Sequence, residues 1–238
     1  MKKLFKKLIL AKPEVDKIPA KGGLSKRIRN IRSIWHNENQ DDIGIEKMLR
    51  LFLAVSQFVF LGVYIKHFFG KKGIGYQELA VDFFVMLKVL FPFTIVFFGA
   101  QHNTFLYILM IWLLLETVLY LATLVFASDI FSRPRSYRRS MLLMFLNYLQ
   151  IVFSYAVIYD RGGYLNIPFG HWFDSIYFSF VTSSTVGYGE YYPVNFAGKL
   201  LVSTQVMIFF IIVVMFLSFF SNKVEQKGYF DHTNEPDG

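Results

Sequence analysis

Between Thr182 and Glu190 the chain reads Thr-Ser-Ser-Thr-Val-Gly-Tyr-Gly-Glu. A run of hydroxyl side chains leads into two glycines spaced one residue apart. Gly187 and Gly189 can take positive φ without a Cβ penalty, which leaves Val186 and Tyr188 free to turn their side chains away from the exposed backbone. Apolar segments of membrane length lie on both sides, and an amphipathic aromatic stretch, Trp172 to Phe180, runs into the motif. Irregular backbone at membrane depth is tolerated only where it lines a water or ion path. A Gly-Tyr-Gly turn in a surface loop is the simpler reading, but such a turn needs neither the apolar flanks nor the hydroxyl run. Other chemistries find little support. Cysteine is absent, so there is no disulfide, thiolate metal site or cysteine nucleophile. His36, His67, His102, His171 and His232 show no metal-ligand spacing. No acid–base pair or nucleophile constellation stands out, which argues against an enzyme.

The centre of the stretch, Thr185-Val186-Gly187-Tyr188-Gly189, is the known signature of the potassium-channel selectivity filter. The chain resembles the pore-loop potassium channels, in particular the small prokaryotic type with a two-helix pore module. The resemblance implies a homotetramer in the plasma membrane that conducts potassium passively, with the permeant ion and membrane lipid as partners, no cofactor and no nucleic acid. Four copies of the stretch around an axis would offer K+ the carbonyls of Thr185, Val186, Gly187 and Tyr188 and the Thr185 hydroxyl, in place of its water shell. Tyr177 and Phe178 are expected to form an aromatic cuff behind Tyr188. Glu190 stands where an aspartate is usual and keeps the outer mouth negative. Val181 occupies the place where some prokaryotic members bury a glutamate, so filter support must come from elsewhere. Tyr192 falls where the family places an outer ring of aromatics, with Tyr191 the competing residue. Phe210, Val213, Leu217 and Phe220 are expected to line the cavity and a hydrophobic gate. No glycine occurs between Leu200 and Phe220, and Phe209 takes the usual hinge position, so a sharp bend there lacks its ordinary cause. A weakly selective cation channel is the nearest alternative. A potassium uptake transporter is further off, because those carry several degenerate pore loops in one chain.

The elements that must position this site follow from composition. Of 238 residues, 54% are hydrophobic and 19% aromatic, which points to an all-α membrane protein with several spans. The net charge of +8 is better explained by cytoplasmic Lys and Arg than by nucleic-acid binding. No period indicates a solenoid. Residues 1–48 read as a basic cytoplasmic segment. It opens with an amphipathic Met1–Lys12 suited to an anionic leaflet and lacks a signal-peptide core. The cluster Lys26 to Arg32 is either a lipid-headgroup contact or a solvated helix. Residues 49–128 hold additional membrane helices, 129–140 a basic linker, and 141–222 the pore module: outer helix 141–159, pore helix 172–184, filter 185–189, inner helix 199–221. A short tail, 223–238, follows.

The apolar segments are Leu51–Ile65, Phe83–Phe98, Thr104–Phe126, Met141–Ile158 and Leu200–Phe220. A span needs about 20 residues, fewer if flanking residues snorkel. Five full spans would put the N-terminus outside, against its many Lys and Arg. Either one early segment does not fully cross, or the charges of the long N-terminal stretch are overruled; Phe83–Phe98, with Lys88 and Pro92, is the weakest candidate and is expected to be partial or re-entrant. Lys88 and Glu116 both lie near mid-segment and are expected to form a structural ion pair if their segments make a hairpin. No arginine ladder of a voltage sensor is visible. Asp174, at the start of the pore helix, suits the positive end of its dipole.

Overall fold

The computed structural model describes residues 23–37, 43–127 and 137–224, with the side chains of 23–26, 137 and 219–224 left aside. Within these residues the chain is helical: α1 (Gly23–His36), α2 (Ile45–Ser56), α3 (Leu61–Gly70), α4 (Ile74–Phe97), α5 (Thr104–Phe126), α6 (Tyr137–Arg161), α7 (Trp172–Ser183) and α8 (Phe196–Val224). The segment 1–22, the linker 128–136 and the tail beyond 224 fall outside the described residues.

Four described helices are long and apolar enough to cross a membrane: Ile74–Phe97, Thr104–Phe126, Arg138–Arg161 and Phe196–Ser218. Cross-contacts fix their directions. Arg139 meets Asp82 at one end, and Phe93 meets Phe153 further along, so α4 and α6 run parallel. Arg161 lies 3.9 Å from the Tyr107 ring centroid, and Thr117 meets Gln150, so α5 runs antiparallel to α6. Tyr159 meets Gln205, and Tyr148 packs on Phe209, so α8 is antiparallel too. The starts of α4 and α6 and the ends of α5 and α8 therefore share one end of the bundle, here called the Arg139 end.

The expectation that Phe83–Phe98 falls short of a span is corrected, because it belongs to Ile74–Phe97, which is long and apolar enough to cross. Ile45–Val59 and Leu61–Gly70 are bent by 65° at a short break. Ile34 of α1, Ala54 of α2 and Ala127 after α5 form one buried cluster at the Arg139 end, and α4 starts at that same end. The end of α2 and the start of α4 thus lie at the same end of the bundle. Phe83–Phe98 instead belongs to an unbroken α4 with Pro92 inside it. Proline removes one backbone hydrogen bond, but in an apolar surround helix is the state that satisfies the remaining backbone groups. Near the break, Glu116 accepts hydrogen bonds from the free N–H groups of Leu61 and Gly62, both at 3.3 Å. A carboxylate from α5 thereby caps α3, a contact that no local pattern around Leu51–Ile65 announces.

The Lys88–Glu116 hairpin contact is present, with Nζ 3.9 Å from Oε1 and both side chains 6% exposed. Lys88 also donates to Thr117, Thr117 donates to Gln150 at 2.7 Å, and Gln150 donates to the Leu113 carbonyl at 3.1 Å. This buried polar chain joins the N-terminal helices to α6. The main core spreads along α4–α8 and includes Val96, Met110, Ile151, Val157, Ile176 and Ile212.

Candidate functional site

The site hangs on α7. His171 caps it by accepting from Phe173 N through Nδ1 at 3.2 Å. Asp174 answers by accepting from the N–H groups of Gly170 and His171 at 3.0 and 2.9 Å. The carboxylate thus sits at the positive end of the helix dipole. α7 runs antiparallel to α6 and is anchored by Ser179, which donates to the Val152 carbonyl at 2.7 Å. It ends beside Tyr148, whose hydroxyl is 3.0 Å from Ser183 Oγ. From there Thr185 N donates to Thr182 O and Val186 N to Val181 O, both at 3.1 Å. These bonds turn the chain out of the helix and into the Thr185–Gly189 strand.

The backbone of that strand alternates in hand. Thr185, Gly187 and Gly189 have φ of 60°, 56° and 87°, whereas Val186 and Tyr188 keep ordinary negative φ. Thr185 extends the alternation beyond the two glycines and carries a Cβ while doing so, at a cost of roughly 1–2 kcal/mol. Composition gave no sign of it, since threonine seldom takes this conformation. Alternation of this kind brings successive carbonyls to one side of an extended strand. All five residues are exposed in the single chain, Val186 at 54% and Tyr188 at 69%.

Behind the strand, Tyr177 stacks on Tyr188 with ring centroids 6.5 Å apart and planes 2° from parallel. Its hydroxyl donates to Glu190 Oε1 at 3.3 Å. Glu190 therefore has a phenol as partner where Val181 offers none. Phe178 does not join this cuff. It is buried in the chain's own core against Tyr159, Phe169 and Tyr191, with centroids at 4.8, 6.3 and 6.1 Å. Neighbouring helix positions point about 100° apart, so Tyr177 and Phe178 cannot serve one face.

Past the motif, Asn166 clamps the exit strand by donating to Glu190 O at 3.1 Å and accepting from Tyr192 N at 2.9 Å. Tyr191 turns inward, packs on Phe169 at 5.0 Å and donates to Asp174 Oδ2 at 3.4 Å. Burial first, then the Asp174 carboxylate, pushes the Tyr191 phenol up from its ordinary range, so it stays a neutral donor. Tyr192 turns outward and is 54% exposed. At the start of α8, Asn195 donates to Gly163 O at 2.6 Å and accepts from Gly198 N at 2.8 Å.

Within α8, Phe210 and Leu217 are exposed at 56% and 63%, along with Met207 and Val214. These four follow helical spacing and form one stripe. Val213 is half-buried beside the stripe, and the Phe220 side chain lies outside the described residues. Phe209 packs on Tyr148 and Phe210, both at 6.0 Å, within an unbroken helix of 29 residues.

A polar layer not evident from the sequence joins the three helices. Gln205, 1% exposed, donates to Ser179 O and Oγ at 2.9 and 2.8 Å and accepts from Tyr159 at 2.8 Å. Tyr155 reaches Thr204 at 3.1 Å. Each group is satisfied, which fixes the register of α8 against α6 and α7. A glutamine in an aliphatic helix is the one signal that could have pointed to it. Among the described residues, no group of His, Asp and Glu could hold a metal by side chains.

Residues 140–226 match a family described as an ion channel. No curated protein and no solved structure matches the chain. The described chain is thus all-α with several helices fit to cross a membrane, and the stretch that holds α6, α7, the 185–189 segment and α8 is similar to an ion-channel family.

Proposed function

We propose that the protein is a potassium-selective channel that assembles as a homotetramer and conducts passively, in the plasma membrane of a prokaryote like the small channels it resembles. The observation that carries this reading is the alternation of backbone hand from Thr185 through Gly189. Four such strands facing an axis would replace the water shell of a bare K+ with the carbonyl oxygens of Thr185, Val186, Gly187 and Tyr188 and the Thr185 hydroxyl. Gly189 permits the turn out of the strand, and Tyr177 with Glu190 braces it. The exposure of the strand in a single chain fits a surface meant for further copies. The C-terminal end of α7 would aim its partial negative charge into a cavity lined by Phe210, Leu217 and their stripe. Arg27, Lys66 and Arg139 gather at one end of the bundle, which by the positive-inside rule is the cytoplasmic end.

The test is purified protein in planar bilayers under bi-ionic conditions. A reversal potential close to the potassium equilibrium value is expected. Equal permeability to sodium and potassium would leave the weakly selective cation channel as the reading. Native mass measurement of the same sample should give four chains per particle, and a conducting monomer would contradict the assembly.

A further inference from the structure

A cavity opens between α1, α3, α4, α5 and α6, well away from the 185–189 strand. It holds about 80 Å³ of space for water centres, where one water needs roughly 10–15 Å³. Arg27, Lys66 and Lys88 line it, against a single carboxylate, Glu116. Glu116 is already engaged by Lys88 and by the Leu61 and Gly62 N–H groups. That leaves Arg27 and Lys66 without a counter-charge in the cavity among the described residues. The charges acting on Lys66 are themselves positive, Arg27 and Arg139, and Arg139 is taken by Asp82.

Two donors are left over as well. Arg27 Nε donates to Gln57 Oε1 at 2.9 Å, which aims the remaining ends of both side chains elsewhere. Arg27 Nη1 and Gln57 Nε2 are buried and find no acceptor among the described residues. Gln57 is 1% exposed. Buried donors left unmade cost free energy unless something accepts from them. A pocket with surplus positive charge, free donors and no free acceptor carboxylate is complementary to an oxyanion.

We propose that this cavity binds a phosphate-class anion, carried by an anionic membrane lipid or by a free solute. Gln57 and Lys88 are buried at the floor, while Arg27 and Lys66 are half-buried at the rim. The phosphoryl oxygens would accept from Arg27 Nη1, Gln57 Nε2 and Lys66 Nζ. Basic pockets between helices at the cytoplasmic face are suited to such head groups. Leu143 and Asn147 of α6 form one wall, so the occupant touches the pore domain directly.

The experiment uses the full chain in phosphatidylcholine nanodiscs and follows its thermal midpoint in two arms. One arm titrates inorganic phosphate. The other replaces part of the phosphatidylcholine with phosphatidic acid and counts retained lipid by native mass spectrometry. A saturable rise in midpoint is expected in at least one arm. A rise with lipid alone identifies a lipid ligand, and a rise in both shows that the head group suffices. Lys66→Gln should weaken the apparent affinity about tenfold, the loss of one charge-assisted contact. Gln57→Glu places a carboxylate beside the Arg27 guanidinium. It should raise the midpoint of the unliganded protein and abolish the ligand-dependent rise, which separates lost binding from a damaged fold. Lys199→Gln, exposed at the start of α8 and at the other end of the bundle, should leave binding unchanged. The proposal is overturned if neither probe shifts the midpoint, or if Lys199→Gln weakens binding as much as Lys66→Gln.

Discussion

Lys88 and Glu116 offer a quantitative check on the packing of the N-terminal helices. Glu116→Gln removes the negative charge 3.9 Å from Lys88. It also turns one of the two oxygens that accept from Leu61 and Gly62 into an amide donor facing an N–H. Lys88 is then left buried with Thr117 as its partner. Removing one member of a buried pair costs about 3–5 kcal/mol in soluble proteins. Hydrogen bonds within membranes are worth less, about 0.6 kcal/mol on average, so the lower bound of about 3 kcal/mol applies. For a chain of this size that lowers the thermal midpoint by about 6–12 °C. Lys88→Met strands the carboxylate instead and should cost a similar amount. The double variant Lys88→Met with Glu116→Gln leaves neither charge of the pair buried. It should cost about 3 kcal/mol rather than the sum of about 6, a coupling of about 3 kcal/mol. Midpoints of the purified protein in one detergent, measured for all four forms of the cycle, provide the assay. Additivity within about 0.5 kcal/mol would refute the pair as an energetic unit.

Three further outcomes are expected. Gly187→Ala meets no atom within 4 Å but holds Cβ at φ +56°, a strain of roughly 1–2 kcal/mol per chain; selective potassium current should vanish, and unchanged selectivity in bilayers would contradict the strand's role. External tetraethylammonium should block through the Tyr192 rings, each cation–π contact being worth about 0.5–2 kcal/mol; Tyr192→Val should relieve block with selectivity kept, and relief by Tyr191→Val alone would contradict the placement of the two rings. Gly198→Ala would set Cβ 2.7 Å from the Tyr164 carbonyl oxygen, so the loop backbone must shift at a cost of about 1–3 kcal/mol; an unchanged thermal midpoint would show that the corner between α6 and α8 yields freely.

The parts of this molecule that local sequence controls were legible. Alternating glycines, an acid in the first turn of α7 and a long aliphatic run for α8 each act within a few residues of themselves. The Lys88–Glu116 contact was legible too, because two lone charges at the middle of adjoining apolar segments have few other ways to be neutralised. The break after α2 was not. Its cause lies in Glu116, some 55 positions away, and the apolar run itself contains no proline to mark it. Lys88 and Pro92 drew suspicion to α4, but a buried partner and an apolar surround keep that helix unbroken through both. The directions of Phe178 and Val213 depend on helical phase, which composition alone does not give, since adjacent helical positions differ by about 100°. The Gln205 layer needs three helices in register before any of its bonds exists.

The unbroken α8 has a mechanical consequence. Without a flexible joint at Phe209, the helix moves as one rod, and its 29 residues make that rod about 43 Å long. Asn195 and Gly198 pin one end to the loop after α6, which makes that corner a pivot. A tilt of roughly 10° about the pivot would carry the free end sideways by about 7 Å on that length. In the proposed tetramer the bore at the far end would be widened by a lever arm whose bearing lies at the α6–α8 corner, with every backbone hydrogen bond of the helix kept.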